Sequence, residues 1–317
     1  MPAALTEPIA GTLYAAPPGY EAELASELGE SASRVTPDGA LLFVPGPARA
    51  AAWAANTWLQ PVRIRFSSID DGVAAMRALG GRDLRWALAP AGLRERAALL
   101  AAKLPVANAK RIAFPAPAPK RGPGSWCLVE EGLLVASARC ASPFANGEAR
   151  FVEDHVRPPS RAYLKLWEAF TLVGRMPRPG DRCVDLGSSP GGWTWAIERL
   201  GARVISVDKA PIDERLTRLT RVRYVQDSAF AIDPTTVGRV HWLVSDVICY
   251  PARIVALIER WIAVHPSAGF VITIKFQGDT DMAPLRAIEG IEGARLVHLH
   301  HNKHELTWIR TPPAEPT

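Results

Sequence analysis

The stretch that decides the fold reads Arg182-Cys-Val-Asp-Leu-Gly-Ser-Ser-Pro-Gly-Gly-Trp193. It predicts a short apolar strand with an acidic residue, Asp185, near its end, then a turn rich in glycine, serine and proline, and then a helix that begins near Gly192. Gly191 and Gly192 carry no Cβ, so backbone N–H groups of the turn can approach a ligand closely. The helix N-terminus points at the bound group. The pattern is neither the dinucleotide fingerprint G-x-G-x-x-G nor the phosphate loop that ends in Gly-Lys-Ser/Thr.

Strand and helix patterns alternate regularly on both sides of this stretch. A helix is predicted over residues 160–173, and further helices begin near Gly192 and Pro251. Apolar, β-branched-rich strands are predicted at residues 183–186, 203–207, 222–226, 240–245 and 270–274, and a closing strand pair at residues 295–300 and 305–310. This alternation predicts an α/β domain with a doubly wound parallel sheet. Its ligand site should lie beyond the carboxyl ends of the strands.

The first half of the chain predicts a smaller α/β region. Strands are expected at residues 13–16, 39–44 and 62–66, helices at residues 20–28, 48–57 and 92–102, and a strand pair at residues 126–129 and 133–138. A polar, proline-bearing segment at residues 151–159 marks a boundary. We therefore divide the chain into a small α/β domain over residues 1–78, a basic region over residues 79–155, and the sheet domain over residues 156–317.

Basic side chains concentrate between Arg82 and Arg121. The whole chain carries a net charge of +5, and in this stretch nine basic residues are opposed only by Asp83 and Glu95. A solvated helix face usually alternates in sign, so we predict contact with the phosphate backbone of a nucleic acid. A merely solubilising surface is the alternative. The nine residues are Arg82, Arg85, Arg94, Arg96, Lys103, Lys110, Arg111, Lys120 and Arg121.

Three aspartates come at the ends of successive predicted strands, Asp208, Asp227 and Asp246. One aspartate after a strand is a common loop residue, but three at neighbouring strand tips converge on one crevice of a parallel sheet. Asp208 can accept hydrogen bonds from the two ribose hydroxyls of a nucleoside-containing cofactor. Asp227 can meet the amino group of its adenine.

Several segments resemble a known family. D-L-G-x-x-P-G-G-W at residues 185–193 resembles motif I of S-adenosylmethionine (SAM) methyltransferases, in the form found in the FtsJ-like ribose 2'-O-methyltransferases. S-R-A-x-x-K-L at residues 160–166, the strand-end Asp246, I-K-F at residues 274–276 and E-x-T at residues 305–307 resemble the K-D-K-E tetrad of that family. The spacing, with S-P-F at residues 142–144 and P-S-R-A at residues 159–162, is most similar to the RlmM branch.

The resemblance implies a set of site residues. Lys165, Asp246, Lys275 and Glu305 would be catalytic, with Lys275 as the general base for a ribose 2'-hydroxyl. SAM would be the cofactor. Its binding residues would lie on the turn and at the strand ends, and they are Gly187, Ser189, Pro190, Gly191, Gly192, Trp193, Asp208, Asp227 and Asp246.

The same resemblance implies the fold and the substrate. The C-terminal domain would be a Rossmann-like SAM-dependent methyltransferase sheet, preceded by a smaller, THUMP-like α/β RNA-binding region. The reaction would be 2'-O-methylation of a cytidine in 23S rRNA or its precursor, with no obligatory protein partner. No apolar run approaches the roughly 20 residues that span a bilayer, and no secretory leader is evident. We therefore expect a cytoplasmic protein with no membrane partner.

Other functions stay open at this point. A non-catalytic protein that binds SAM and RNA would be favoured if either tetrad lysine were missing. An RNA base methyltransferase could use Cys249, in Asp246-Val-Ile-Cys-Tyr-Pro251. A nicotinamide oxidoreductase is disfavoured because the chain lacks G-x-G-x-x-G there. We expect no metal site, because the histidines beside Glu305 follow a strand and a turn and favour a structural or RNA-contacting role. Those histidines are His298, His300, His301 and His304.

Overall fold

The computed structural model describes residues 4–107 and 111–313. Lys110, one of the predicted basic residues, lies outside these ranges. The chain divides into two compact units. The first unit comprises residues 1–112 and 118–150, and the second comprises residues 113–117 and 151–317.

The first unit, in its described part, contains two five-stranded sheets. One sheet has the order β1-β6-β9-β8-β7 and the other the order β10-β5-β2-β4-β3. The strands are β1 (Leu5–Pro8), β2 (Gly11–Ala15), β3 (Ser33–Arg34), β4 (Leu41–Pro45), β5 (Asn56–Leu59), β6 (Val62–Arg65), β7 (Trp86–Leu88), β8 (Gly124–Glu130), β9 (Leu133–Ser137) and β10 (Arg139–Cys140), and the helices are α1 (Glu21–Leu28), α2 (Ile69–Gly80) and α3 (Arg94–Ala101).

The first sheet is covered by α2 and α3. Met76 on α2 and Leu100 on α3 are buried with Trp86 and Trp126 in one hydrophobic cluster. The alternation of Val62-Arg-Ile-Arg65 places its apolar residues inward and both arginines outward, as a half-buried strand requires. Burial of these large apolar surfaces is the main force that holds the sheet to its helices.

The helix predicted over residues 48–57 is wrong. Residues 48–55 are not helical, and the segment leads into β5. Glu27 on α1 accepts hydrogen bonds from the backbone N–H groups of Ala52, at 2.6 Å, and Trp53, at 2.9 Å. The Trp53 side chain is fully buried. These long-range contacts override the helical propensity of an alanine-rich run.

The second unit is built on a seven-stranded sheet, counted over its described residues, with the order β13-β12-β11-β14-β15-β17-β16. The strands from β13 to β15 are parallel, and β17 is antiparallel to β15 and β16. The strands are β11 (Arg182–Leu186), β12 (Arg203–Asp208), β13 (Val222–Gln226), β14 (Trp242–Ser245), β15 (Gly269–Lys275), β16 (Ala294–Val297) and β17 (Glu305–Arg310), and the helices are α4 (Tyr163–Val173), α5 (Gly192–Arg199), α6 (Glu214–Thr217), α7 (Pro251–Val264) and α8 (Arg286–Glu289).

This topology confirms the predicted doubly wound α/β sheet. The chain runs from β11 through β12 to β13 on one side and then returns to β14 and β15 on the other. The strand order therefore reverses at β11 and β14, where open α/β sheets bind their ligands. None of the helices in the described ranges is long and apolar enough to cross a bilayer.

Helix α4 carries two buried charged residues among apolar neighbours. Leu164, Leu166 and Phe170 are fully or almost fully buried, and so are Lys165 and Glu168. A buried charge is tolerated only when it is paired and hydrogen-bonded. The partners of Lys165 and Glu168 therefore define the site that this helix helps to build.

Candidate active site

The turn after β11 has a backbone that only glycine adopts easily. Gly187 has φ 78° and Gly191 has φ 112°. A Cβ on Gly187 would lie 2.7 Å from Cβ of Val247, and a Cβ on Gly191 would lie 2.4 Å from Cδ1 of Leu216. Both positions thus require glycine for conformation and for space. The turn delivers the chain into α5, whose first residue is Gly192.

Asp208, the last residue of β12, is bound to this turn. Its Oδ2 accepts a hydrogen bond from the backbone N–H of Ser189 at 2.9 Å, and its Oδ1 accepts one from Ala210 at 2.9 Å. Asp227 directly follows β13, is exposed, and its backbone N–H donates to the carbonyl of Asp208 at 3.2 Å. The two predicted cofactor-binding acids thus come from adjacent strand tips.

These residues suit a nucleoside-containing cofactor such as SAM. Oxygens of Asp208 and Asp227 can accept hydrogen bonds from ribose hydroxyls and an amino group, and Gly187 and Gly191 add no side chain to the turn. Trp193 takes a different position: its ring is buried, and its Nε1 donates to the carbonyl of Ala162 at 2.8 Å. The Trp193 side chain therefore packs under the turn and braces the start of α4.

The four predicted tetrad residues form one cluster. Nζ of Lys165 lies 2.8 Å from Oδ1 of Asp246 and 2.9 Å from Oε1 of Glu305. Nζ of Lys275 donates to the backbone carbonyl of Asp246 at 2.6 Å and lies 3.1 Å from its Oδ1. Both ammonium groups therefore share one carboxylate oxygen. The cluster brings together α4, the residue after β14, the end of β15 and the start of β17.

The β15–β17 register explains part of this convergence. Lys275, the last residue of β15, is the antiparallel register partner of Glu305, the first residue of β17. Asp246 follows the neighbouring parallel strand β14. The sheet therefore fixes three of the four positions, and α4 adds Lys165 from outside the sheet.

The electrostatics separate the two lysines. Burial acts to lower the pKa of Lys165, but the attraction of Asp246 and Glu305 outweighs it, so the pKa is raised above its ordinary value. Lys165 therefore remains a cation between two carboxylates. Among the residues that the structure describes, Lys275 forms an ion pair with Asp246 alone, and its side chain is 20 % exposed against 10 % for Lys165. Lys275 is thus the more accessible amine.

Sequence reasoning missed Glu168, which lies three residues after Lys165 on α4. Its carboxylate accepts from the backbone N–H of His300 at 2.8 Å and of His301 at 3.2 Å, and it contacts Nδ1 of His301 at 2.8 Å. The loop between β16 and β17, which leads to Glu305, is thus anchored to the helix that carries Lys165. A lone acidic residue in the apolar run Tyr163-Leu-Lys-Leu-Trp-Glu-Ala-Phe170 was the available signal.

Asp185 is a second residue that the sequence did not assign. It is buried on β11, its Oδ2 accepts from Oγ1 of Thr194 at 2.7 Å, and its Oδ1 has no hydrogen-bond partner among the described residues. Burial, the largest influence, raises the pKa of Asp185 to about 7. Thr194 also contacts Ser206 at 2.9 Å, and Ser206 contacts Ser188 at 2.8 Å. A polar network therefore runs beneath the turn.

The histidines near Glu305 make structural contacts. Nε2 of His298 lies 3.0 Å from the carbonyl of Lys303, and Nε2 of His304 lies 2.8 Å from Oγ1 of Thr280. Burial lowers the pKa of His298 to about 4. In the ranges that the structure describes, no group of histidine, cysteine and acidic residues is arranged to hold a metal ion.

The basic stretch is exposed at each of its described residues, 82, 85, 94, 96, 103, 111, 120 and 121. Acidic residues from outside the stretch pair with two of them: Arg96 with Glu131, and Lys103 with Asp70 at 2.5 Å. The local excess of positive charge is therefore smaller than the sequence count suggested. Within the first unit, Arg85, Arg121 and Arg150 line a groove of about 530 Å³. Asp83 and Glu148 line it as well, and Glu148 pairs with Arg150 at 2.5 Å.

Comparison with known proteins agrees with this geometry. Residues 158–265 match the family model described as FtsJ-like methyltransferase. The match confirms the resemblance that the motifs predicted, and it covers α4, the glycine turn, Asp208, Asp227 and Asp246. Lys275 and Glu305 lie beyond it, so their place in the tetrad rests on the motifs and on the geometry.

Curated relatives carry the name "Ribosomal RNA large subunit methyltransferase M". One from Shewanella sp. (strain MR-4) is 30% identical over 220 residues, which is 62% of this chain and 60% of the relative. Another from Alkalilimnicola ehrlichii is 34% identical over 169 residues, 49% of this chain and 46% of the relative. The chain thus matches about half to three-fifths of the length of these relatives.

Similarity to solved structures is more distant. A protein described as a hemolysin from Streptococcus thermophilus superposes with a TM-score of 0.41 and 19% identity, over 54% of this chain and 74% of that one. At this TM-score the match does not bear on function.

Proposed function

We propose that this protein is a SAM-dependent RNA 2'-O-ribose methyltransferase that acts on a cytidine of 23S rRNA. The observation that carries the proposal is the shared oxygen of Asp246, which lies 2.8 Å from one ammonium group and 3.1 Å from another beside the glycine turn. The match to the FtsJ-like model over residues 158–265 supports SAM as the cofactor. The names of the curated relatives support large-subunit ribosomal RNA as the substrate.

In this proposal Lys275 is the general base. A ribose 2'-hydroxyl is a poor nucleophile until its proton begins to leave, and a positioned base assists that step. A neutral Lys275 amine would keep an N–H for the carbonyl of Asp246 and offer its lone pair to the hydroxyl proton. SAM, when bound, supplies the electrophilic methyl group. Lys165 remains charged, and with Glu305 it holds Asp246 and the position of the hydroxyl.

The cofactor-binding set follows from the same arrangement. Asp208 and Asp227 would accept hydrogen bonds from the nucleoside part of SAM. Asp246 would contribute to both cofactor and acceptor. The backbone of the turn would complete the site, through Gly187, Ser189, Pro190, Gly191, Gly192 and Trp193.

Base methylation through Cys249 is the weaker alternative. Cys249 is 7% exposed, and burial raises the pKa of its thiol to about 11. The thiolate is the nucleophilic form of cysteine, so a buried thiol with a raised pKa is a poor nucleophile at neutral pH. A non-catalytic role is also weaker, because both lysines and both carboxylates of the tetrad are in contact.

We further infer that the first unit holds the RNA. It contains the predicted small α/β domain (1–78) and most of the basic, THUMP-like region (79–155), and the methyltransferase domain (156–317) follows. The exposed residues Arg111, Lys120 and Arg121, with Arg85 on the same groove as Arg121, supply cations for phosphate contacts. We propose that the protein acts in the cytoplasm on 23S rRNA or its precursor and requires no obligatory protein partner. The names of the curated relatives support the ribosomal RNA substrate.

The test is to map ribose methylation across rRNA from cells with and without this protein. We expect one cytidine of 23S rRNA to lose its 2'-O-methyl group without the protein. Purified protein with SAM should restore that group on rRNA from the deficient cells. A methyl group found on a base, or unchanged ribose methylation across the rRNA, would overturn the proposal.

A further inference from the structure

Two large apolar side chains are exposed on the loop that begins at the tetrad. Ile248 is 72% exposed and Tyr250 is 66% exposed. They follow Asp246 by two and four residues, in the loop that joins β14 to α7. Residues 247–252 carry no charged side chain. The loop therefore presents an uncharged apolar surface next to the predicted catalytic centre.

The backbone of this loop is anchored on both sides. Cys249, between the two exposed positions, and Pro251, directly after them, are buried. On one side, Val247 packs closely against the glycine turn. A Cβ added at Gly187 would lie 2.7 Å from the Cβ of Val247. These contacts hold the loop against the turn while Ile248 stays in solvent.

Hydrogen bonds hold the backbone of Tyr250, but within the described residues they do not hold its ring. Its carbonyl accepts from the N–H groups of Arg253 at 3.0 Å and Ile254 at 3.3 Å, in the first turn of α7. As the N-cap residue it makes no side-chain capping hydrogen bond. Hydrogen bonds at the start of α7 therefore fix the Tyr250 backbone four residues after Asp246, and the exposed residue is available to an external group.

We propose that Tyr250, assisted by Ile248, forms the platform on which the base of the target nucleotide stacks. The inference rests on the proposed ribose methylation. In a nucleotide the base and the 2'-hydroxyl are attached to adjacent ring carbons, so a hydroxyl at Lys275 brings its base to the immediate surroundings of the tetrad. Proteins bind unstacked RNA bases on exposed aromatic side chains. An uncharged loop suits a base face and not a phosphate.

The stacking should be measurable in single-turnover methyl transfer. Loss of one base–aromatic stack weakens binding by roughly tenfold to a hundredfold. We expect Tyr250→Ala to lower the efficiency of transfer to the 23S rRNA substrate by that factor, Ile248→Ala to lower it less, and Tyr250→Phe to retain it. SAM affinity, measured by calorimetry, should be unchanged in all three variants, because the platform contacts only the acceptor.

An RNA that lacks the base at the target ribose isolates the contact. With this abasic RNA, wild-type protein and Tyr250→Ala should transfer methyl groups at the same reduced efficiency, because removal of the ring and removal of the base delete the same interaction. Val264→Ala, which shortens another exposed apolar residue at the far end of α7, is the matched control and should behave as wild type with both RNAs.

Each contrary outcome has one meaning. An equal loss on intact and abasic RNA, or no loss on either, would overturn the platform. A fall in SAM affinity for Tyr250→Ala would assign the ring to cofactor binding and would also overturn the platform. If wild-type protein transfers no methyl group to a ribose in any rRNA, the proposed function itself fails, and the platform fails with it.

Discussion

Lys165 and Glu305 lie 140 residues apart in the chain, yet the Lys165 ammonium donates to Oε1 of Glu305 at 2.9 Å. Both side chains are buried, with exposed fractions of 10% and 8%. The same ammonium lies 2.8 Å from Oδ1 of Asp246. One helix is thus joined electrostatically to two separate strand ends, and we expect this pair to stabilise the second unit.

Replacement of Lys165 should therefore destabilise the protein. Lys165→Met leaves Glu305 buried without its cation, and breaking a buried ion pair from one side costs about 3–5 kcal/mol. The free energy of unfolding in urea would measure this loss. Lys103→Met is the matched control, since Lys103 pairs with Asp70 on an exposed surface and should lose no more than about 1 kcal/mol. Equal losses in the free energy of unfolding would show that the buried ion pair stabilises the fold no more than the exposed pair does.

Lys275 should be required for chemistry and not for binding. Lys275→Ala is expected to lower single-turnover methyl transfer by ~10²–10⁴-fold, the usual contribution of a positioned general base, while SAM and RNA affinities are retained. Lys275→Arg keeps the charge but cannot give up its proton, and it should be equally inactive. Near-normal transfer by Lys275→Arg would assign the residue an electrostatic role. Loss of transfer in Cys249→Ser with retention in Lys275→Ala would favour base methylation.

Asp208 should contribute to cofactor affinity. Asp208→Ala removes the acceptor expected for the ribose hydroxyls and also frees the backbone N–H of Ser189, so calorimetry should show weakened SAM binding. Asp38→Ala is the matched control, because Asp38 likewise accepts a hydrogen bond from the backbone N–H of an alanine two residues later. Unchanged SAM affinity in Asp208→Ala would exclude the assignment of Asp208 to the ribose.

Asp185 should make stability depend on pH. Burial raises its pKa from 3.8 to about 7 in the folded state, so the folded protein binds this proton more tightly than the unfolded chain. The associated stability is complete below about pH 3.8 and is lost as the pH rises to 7. Across this window each pH unit is worth up to ~1.4 kcal/mol. Asp185→Asn cannot ionise, so its free energy of unfolding relative to wild type should increase from pH 5 to pH 8. A constant difference over that range would contradict the prediction.

The exposed basic residues should govern RNA affinity. Reversal of Arg111, Lys120 and Arg121 to glutamate should weaken RNA binding and flatten its dependence on salt, because fewer counterions are released on binding. Filter binding at several salt concentrations would measure both quantities. SAM affinity should not change.

A matched triple variant controls for net charge. Arg175, Arg223 and Arg239 are exposed arginines of the second unit, and their reversal to glutamate changes the total charge by the same amount. We expect this variant to bind RNA with a salt slope close to that of wild type. If the two triple variants show the same RNA affinity and the same salt slope, the RNA does not bind specifically at Arg111, Lys120 and Arg121.

The local sequence was enough to predict the strand–turn–helix around residues 182–199 and the aspartates at or directly after the ends of β12, β13 and β14. These features are local. An apolar run followed by glycine and proline leaves few backbone choices, and parallel strands bring their carboxyl ends to one edge. That Lys165, Asp246, Lys275 and Glu305 belong to one cluster was predicted only through the resemblance to the FtsJ-like family, and their catalytic roles remain a prediction.

Other features depend on contacts between distant segments, which form only in the folded chain. The alanine-rich run before β5 favours a helix by propensity, but Glu27 binds its backbone and Trp53 is buried, so the helix is not formed. In the sequence, Glu168 is a lone acidic residue in an apolar helix, whereas in the structure its carboxylate accepts a hydrogen bond from the backbone N–H of His300. Burial makes such pairings obligatory, because an unpaired buried charge is costly. Which residue pairs with each charge depends on how the folded sheet brings distant segments together, and the local sequence does not specify this.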